Sequence, residues 1–106
     1  MLSSSLQPRP LSEAALHQAV KRALDKGFVR ESMHSCADRA YRNISDDDVR
    51  YGLERKDWVL VKAPDFDEAH NNWEYLIKTV DVEGDVLHLK IVVYPAENRI
   101  WIVTKY

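Results

Sequence analysis

The spacing of apolar residues changes once along the chain, near Trp58, and this change limits the folds that the chain can adopt. Before Trp58, apolar residues recur every three or four positions, which is typical of amphipathic helices. After Trp58, apolar and polar residues alternate, which indicates strands with one buried face. A chain with helices first and a sheet afterwards is predicted to be an α+β protein of two layers. Its 106 residues favour one domain.

Three helices are predicted in the first half of the chain. Ser12 is a candidate N-cap for the first helix, and Gly27 stands where a C-terminal stop is expected. Ser32 is predicted to cap the second helix. Ser45, followed by three aspartates, is a strong start signal for the third, because acidic side chains suit a helix N-terminus. The inward positions of that third helix are Val49 and Leu53.

The second half predicts four strands joined by short turns, and therefore an antiparallel meander. The predicted strands are Trp58–Val61, Trp73–Val80, Val86–Tyr94 and Arg99–Tyr106. Residues 63–72 are predicted to form a polar loop, and Phe28–Arg30 a short link or strand. The expected fold has N-terminal helices packed on a four-stranded antiparallel sheet. Residues 1–11 are predicted to be a flexible arm, so that the α+β domain spans residues 12–106.

Charge and cysteine content restrict the function classes. The net charge is −2, which argues against nucleic-acid binding through bulk charge alone. Basic residues are in slight excess before residue 57, so an anion site is expected to draw on the first half. Cys36 is the single cysteine, which excludes an intrachain disulfide and favours a reducing compartment. With neither a secretory signal nor a membrane span in the sequence, we predict a cytoplasmic location and no membrane partner.

The segment from Ser32 to Ser45 concentrates side chains that can act on phosphates. On a helix, Asp38 lies roughly 40° and Arg42 roughly 80° around the axis from His34, so the three share one face. Such a face is commonly a solvated surface with weak ion pairs. Alternatively, the imidazole can transfer a proton and the guanidinium can bind a phosphate. Arg39 lies at the border of this face, where its length lets it reach the others.

Other candidate residues have ordinary structural explanations. The histidines and Cys36 lack zinc-ligand spacing, so no metal or cofactor is predicted. Cys36 is expected to be a buried thiol. The aromatic residues in the strands can stack on bases, but cross-strand packing is the commoner role. In the last strand, Thr104 and Tyr106 are expected to share a face with Ile100 and Ile102.

These residues resemble a widespread bacterial domain family of unknown function. The resembling parts are Ser32-Met33-His34, Arg39, Arg42, Ile44-Ser45 and the closing Thr104-Lys105-Tyr106. The likeness covers roughly residues 28–106. That family is grouped with toxin-like ribonucleases of the barnase, EndoU, colicin and RelE types, whose fold places N-terminal helices on a four-stranded antiparallel sheet.

The resemblance implies metal-independent RNA cleavage, in which a 2′-hydroxyl attacks the adjacent phosphate. His34 would be the general base or acid, and Arg39 and Arg42 would stabilise the charged transition state. Thr104 or Tyr106 would hold the phosphate or donate a proton. RNA and an antitoxin protein would then be partners. A non-catalytic protein-interaction, immunity or regulatory module is the alternative, and a merely solvated helix face is the third possibility.

Overall fold

Helix α1, Glu13–Lys26, opens the part of the chain that the computed structural model describes, residues 9–27, 29–31 and 44–106. The Ser12 hydroxyl accepts a hydrogen bond from the N–H of Ala15, which satisfies one of the free donors at the helix start. Gly27 ends the helix with a φ of 76°, in the left-handed region that glycine adopts without strain. Both predicted ends of this helix are confirmed.

Helix α2, Asp46–Glu54, begins at the second predicted cap. The Ser45 hydroxyl accepts from the N–H of Asp48, while the Asp48 carboxylate accepts from the N–H of Ser45. This reciprocal capping box satisfies two backbone donors at once. Val49 and Leu53 are buried, as predicted. The helix predicted from Ser32 lies outside the described residues.

Six strands among the described residues form one mixed sheet. They are β1 Val29–Glu31, β2 Val59–Leu60, β3 Asp65–Asp67, β4 Asn72–Val80, β5 Val86–Tyr94 and β6 Arg99–Lys105. The order across the sheet is β1-β6-β5-β4-β2, and β3 also pairs with β4. The α+β class is therefore confirmed, whereas the prediction of a four-stranded, purely antiparallel sheet is only partly right.

Strand β1 is the parallel member of the sheet. Val29 lies opposite Ile100 and Glu31 opposite Ile102. Parallel neighbours need a long connection, and here the chain between β1 and β6 includes α2 and four other strands. Three residues carry too little pattern to indicate such a distant partner, which explains why the sequence predicted only a short link or strand.

Strand β3 lies within the segment that was predicted to be a polar loop. Phe66 lies opposite Trp73, and β2 pairs with the same edge of β4 further along. Residues 61–64 separate the two short strands, and Pro64 has no N–H to contribute to a ladder. This outer strand is therefore interrupted, which is a common way of protecting a sheet edge.

Both described helices pack against one face of the sheet, which we call the inner face. Its fully buried positions include Ile77 of β4, Leu87, Leu89 and Ile91 of β5, and Ile100 and Ile102 of β6. Gly52 brings α2 close to β4, because a Cβ atom there would lie 2.6 Å from Thr79 Cγ2. The Thr79 hydroxyl donates to the Gly52 carbonyl at 2.8 Å. The core is thus a layer between two helices and alternate strand residues.

A β-bulge at Val103 changes the alternation in β6. Ile91 lies opposite Ile102 and Lys90 opposite Thr104, so Val103 is an extra residue between the two pairs. Thr104 therefore turns to the opposite side of the sheet, which we call the outer face. The prediction that Thr104 and Tyr106 share a face with Ile100 and Ile102 is wrong, because one inserted residue reverses every later position.

The bulge also turns Lys105 inward. Lys105 lies opposite Leu89, and its ammonium nitrogen is 2.7 Å from the carboxylate of Glu31, which faces inward from β1. The two side chains are only 6% and 14% exposed. This ion pair joins β6 to its parallel neighbour at the margin of the core.

A candidate site on the outer face of the sheet

Of the five residues predicted to form a site, the described structure places two. Thr104 and Tyr106 lie on the outer face, two residues apart along the last stretch of chain. His34, Arg39 and Arg42 lie outside the described residues, as do Asp38 and Cys36. The convergence of all five residues thus stays a prediction, and the outer face is the surface on which it can be tested.

Tyr106 is fixed by its pairing with His88 on β5. The N–H of His88 donates to the Tyr106 carbonyl at 2.7 Å, and the N–H of Tyr106 donates to the His88 carbonyl at 3.0 Å. Their rings stack with centroids 5.0 Å apart and planes 15° apart. Tyr106 is 40% exposed. An aromatic side chain is therefore held in a defined place while part of it faces solvent.

Thr104 lies beside one lysine, and a second lies two strands away on the same face. Lys90 is directly opposite Thr104 across β5 and β6, and Lys78 is opposite His88 across β4 and β5. Within the described part of the chain, the three side-chain polar groups of Thr104, Lys90 and Lys78 form no hydrogen bond or ion pair. Ammonium groups without a carboxylate partner attract anions, and a nearby hydroxyl can donate to a phosphate oxygen.

Aromatic and basic side chains alternate towards the other end of β5 and β6. Trp101 lies opposite Val92 on one side and Arg30 on the other, and Tyr94 lies opposite Arg99. Trp101 and Arg99 share the outer face with Thr104, because they pair with outer-face residues of β5. The Arg30 guanidinium donates to the Gly27 and Val29 carbonyls, and Arg99 pairs with Glu97 at 3.2 Å. Interleaved aromatic and basic groups are the combination that binds single-stranded nucleic acid.

The other two tryptophans have structural roles. Trp58 is buried, and its indole N–H donates to the Leu53 carbonyl at 3.2 Å. Trp73 packs edge-on against Phe66, with ring centroids 5.3 Å apart, at the margin of the core. Cross-strand or core packing, the commoner role of strand aromatics, therefore describes these two, while Trp101 lies opposite the fully buried Val92 and is itself only partly buried.

Acidic groups occupy the β3 side of the outer face. The Asp67 carboxylate is hydrogen-bonded to His70, whose Nδ1 lies 2.6 Å from the carboxylate oxygen. Burial raises the pKa of Asp67, but hydrogen bonds with His70 and Glu74 outweigh it and hold that pKa below its usual value. Burial, together with the hydrogen bond to Asp67, raises the pKa of Glu74. The outer face thus has an acidic side and a basic, aromatic side.

The sequence analysis did not predict this acidic group. Asp67 was assigned to a loop, and His70 was considered only as a metal ligand. The alternation of Glu74 with apolar neighbours in β4 did indicate its outward position, but not its partner across β3. The described residues contain no group of three or more His, Cys, Asp or Glu side chains arranged to hold a metal ion.

A groove with a volume of about 530 Å³ lies between α1 and α2. His17 stacks on Trp58 there, with ring centroids 3.5 Å apart, and its Nε2 lies 3.0 Å from the Trp58 carbonyl oxygen. The charges along this groove are largely paired, Lys21 with Asp25 and Arg55 with Asp57. Fewer charged side chains without an ion-pair partner are therefore left to bind a ligand in this groove than on the outer face.

Comparison with protein-family models, with curated proteins and with solved structures finds no match. The class of the fold, an α+β protein with a mixed sheet, therefore rests on the helices and strands described above. Neither of the two described helices has the length and apolar character needed to cross a membrane.

Proposed function

We propose that the outer face binds RNA and that the chain cleaves it without a metal ion. The observation that carries the proposal is the position of Thr104 directly opposite Lys90, with Tyr106 and Lys78 on either side of His88 on the same face. Neither lysine forms an ion pair within the described residues, and the carboxylate of Glu74 is near enough to Lys90 for Lys90 to lower its pKa. Trp101 extends the same face with an aromatic surface. The negative net charge of the chain is compatible with this, because the basic groups are concentrated locally.

The proposed reaction follows the chemistry that the family resemblance implies. The 2′-hydroxyl of one nucleotide attacks the neighbouring phosphate, which gives a 2′,3′-cyclic phosphate and a free 5′-hydroxyl. Lys90 and the Thr104 hydroxyl would hold the phosphate, and Tyr106 would contact it or stack on a base. His34, Arg39 and Arg42 keep the proton-transfer and charge-stabilising roles that the resemblance implies.

Cleavage of a labelled single-stranded RNA in the presence of EDTA tests this proposal. We expect products ending in a 2′,3′-cyclic phosphate, and a rate reduced at least about 100-fold by His34→Ala, the range of one proton-transfer group. Thr104→Val and Lys90→Ala should each weaken RNA binding. Lys56→Ala is the matched control, because Lys56 lies on the helix side of the molecule. Intact RNA, or equal cleavage by the His34 variant, contradicts the proposal.

A non-catalytic protein-interaction module is the second candidate. It is favoured by three exposed valines on the outer face, Val59 and Val61 at the β2 edge and Val86 at the start of β5, which are 49%, 44% and 47% exposed. An antitoxin or another protein could cover them. Overproduction without growth arrest, together with RNA left intact by the purified chain, would favour this function over cleavage.

A further inference from the structure

The free edge of β2 carries backbone groups that point away from the rest of the sheet. In an antiparallel pair, alternate residues direct both backbone polar groups to the neighbouring strand, and the residues between them direct both away. The N–H of Val61 donates to the Leu76 carbonyl on β4 at 2.8 Å, so Val61 faces β4. Leu60 therefore directs its N–H and its carbonyl away from β4, and the carbonyl of Trp58 lies on the same side.

Two side chains of α1 bind these outward groups. The Leu60 N–H donates to the Glu13 carboxylate at 2.9 Å. The Nε2 of His17 lies 3.0 Å from the Trp58 carbonyl oxygen, a contact in which only the imidazole can donate. The His17 ring also stacks on the Trp58 ring. Glu13 and His17 thus supply the acceptor and the donor that a further strand would supply, and we call these two side chains the edge clamp.

The spacing of the edge clamp matches the spacing of the strand. Residues four apart on a helix share one face and lie roughly 6 Å apart along its axis. Residues two apart on a strand lie roughly 7 Å apart. Glu13 and His17 can therefore reach Leu60 and Trp58 at the same time. Helix α1 takes the place of a neighbouring strand, although it contributes side chains and no backbone groups to the pairing.

The covered segment has the composition of a strand that pairs readily with others. Residues 58–61 are consecutive, apolar and uncharged, and aromatic and β-branched residues of this kind are enriched in strands. Val59 and Val61 are also largely exposed on the outer face. The run ends at Lys62. An edge with this composition pairs with other chains unless something protects it.

We propose that the β2 edge is a strand-addition site for a second copy of the chain, and that the edge clamp keeps this site closed. With the two β2 strands antiparallel and centred on Leu60, the N–H and carbonyl of each Leu60 face the carbonyl and N–H of the other. Val59 of one copy then lies opposite Val61 of the other, which joins the exposed valines of both copies in one row. A two-fold axis relates the copies, so the interface is self-complementary and closed. This inference does not depend on RNA cleavage.

Sedimentation velocity of the double variant Glu13→Ala/His17→Phe tests the proposal. Alanine keeps the helix but cannot accept the hydrogen bond, and phenylalanine keeps a ring against Trp58 but cannot donate. We expect the dimer dissociation constant to be at least about tenfold lower in the double variant than in the wild type, because two hydrogen bonds no longer compete with strand pairing. Asp47→Ala removes a carboxylate from the first turn of α2 and should associate no more than the wild type.

Lysines placed in the row of valines test the position of the interface. Adding Val59→Lys and Val61→Lys to the double variant puts two positive charges from each copy along the proposed contact, and edge lysines oppose strand addition. Both positions are exposed, so the fold should be preserved. We expect this variant to be monomeric at concentrations where the double variant is dimeric.

Two results would overturn the proposal. One is a double variant that associates no more than the wild type while its circular dichroism spectrum is unchanged. The other is a dimer that persists when the lysines are present, because its interface would then lie elsewhere. If the double variant does not fold, Glu13→Ala alone gives the same test, since Glu13 is exposed. Its dissociation constant should be at least about fivefold lower than that of the wild type, the contribution of one hydrogen bond, and an equal value overturns the proposal.

Discussion

The two faces of the sheet are made by the same strands and differ in almost every physical respect. On the inner face, Leu89, Ile91 and Ile102 are fully buried beneath the helices. On the outer face, the intervening positions carry Lys90 and Thr104, and also Val92, which is fully buried between Glu74 and Trp101. The inner face is held largely by apolar packing, with the Thr79–Gly52 hydrogen bond and the Lys105–Glu31 ion pair beside it. The outer face depends on which residue lies opposite which. The register of strand pairing therefore determines which side chains come together in the candidate site.

The largest expected difference in stability is between substitutions at two neighbouring residues of β5. Ile91→Ala removes a fully buried side chain from the core and should lower the free energy of unfolding by about 2–5 kcal/mol. Lys90→Ala, one position away on the outer face, should change it by less than about 0.5 kcal/mol. Urea unfolding of both variants measures the contrast. Similar losses would show that the outer face is also covered and packed.

The ion pair between Lys105 and Glu31 gives the next largest effect. Glu31→Leu would leave the ammonium group of Lys105 buried without its carboxylate and should cost about 3 kcal/mol, at the low end for broken buried pairs. The double variant Glu31→Leu/Lys105→Met removes both charges and should recover much of that loss. A single variant as stable as the wild type would mean that Lys105 reaches solvent once its partner is removed.

Local signals predicted the helices and the inner face well. Ser12, Gly27 and Ser45 act within a few residues of themselves, so their roles can be read without knowledge of the fold. Alternation in β5 likewise identified its buried side, because the period of a strand is fixed. The parallel pairing of β1 with β6 could not be predicted, since it joins segments separated by most of the chain.

The candidate site was less predictable, because it depends on single-residue shifts. Alternation alone placed Thr104 with Ile102, and the bulge at Val103 reverses that position. The pairing of Asp67 with His70 was not predicted, because β3 has only three residues and is separated from β2. A strand that short shows no recognisable alternation of apolar and polar residues. The outward position of Glu74 was predictable, but its contact with Asp67 required knowledge that β3 pairs with β4.

The smallest expected effects are on the pH dependence of stability, and they concern two carboxylates of the outer face, Glu74 and Asp67. The pKa of Glu74 is raised by burial and by Asp67, so its ionised form is less favourable in the folded chain than in the unfolded one. Below the unfolded value of about 4.3 the group is protonated in both states and contributes no penalty. The penalty grows as the pH rises and is complete above the folded pKa. Glu74→Gln should therefore raise the melting temperature at pH 8 and leave it unchanged near pH 3.

Asp67 should behave in the opposite way, because its pKa in the folded chain is lowered, with the hydrogen bonds from His70 and Glu74 outweighing burial. Its stabilising contribution is present above the unfolded pKa and is lost as the pH falls through the folded value. Asp67→Asn should thus lower the melting temperature at neutral pH and have little effect in acid. The change for Glu74 should stay below about 1 kcal/mol, because its side chain is only partly buried. Thermal unfolding at several pH values measures both changes in melting temperature. If both substitutions changed the melting temperature in the same direction at neutral pH, the pKa values of Asp67 and Glu74 would not be shifted in opposite directions.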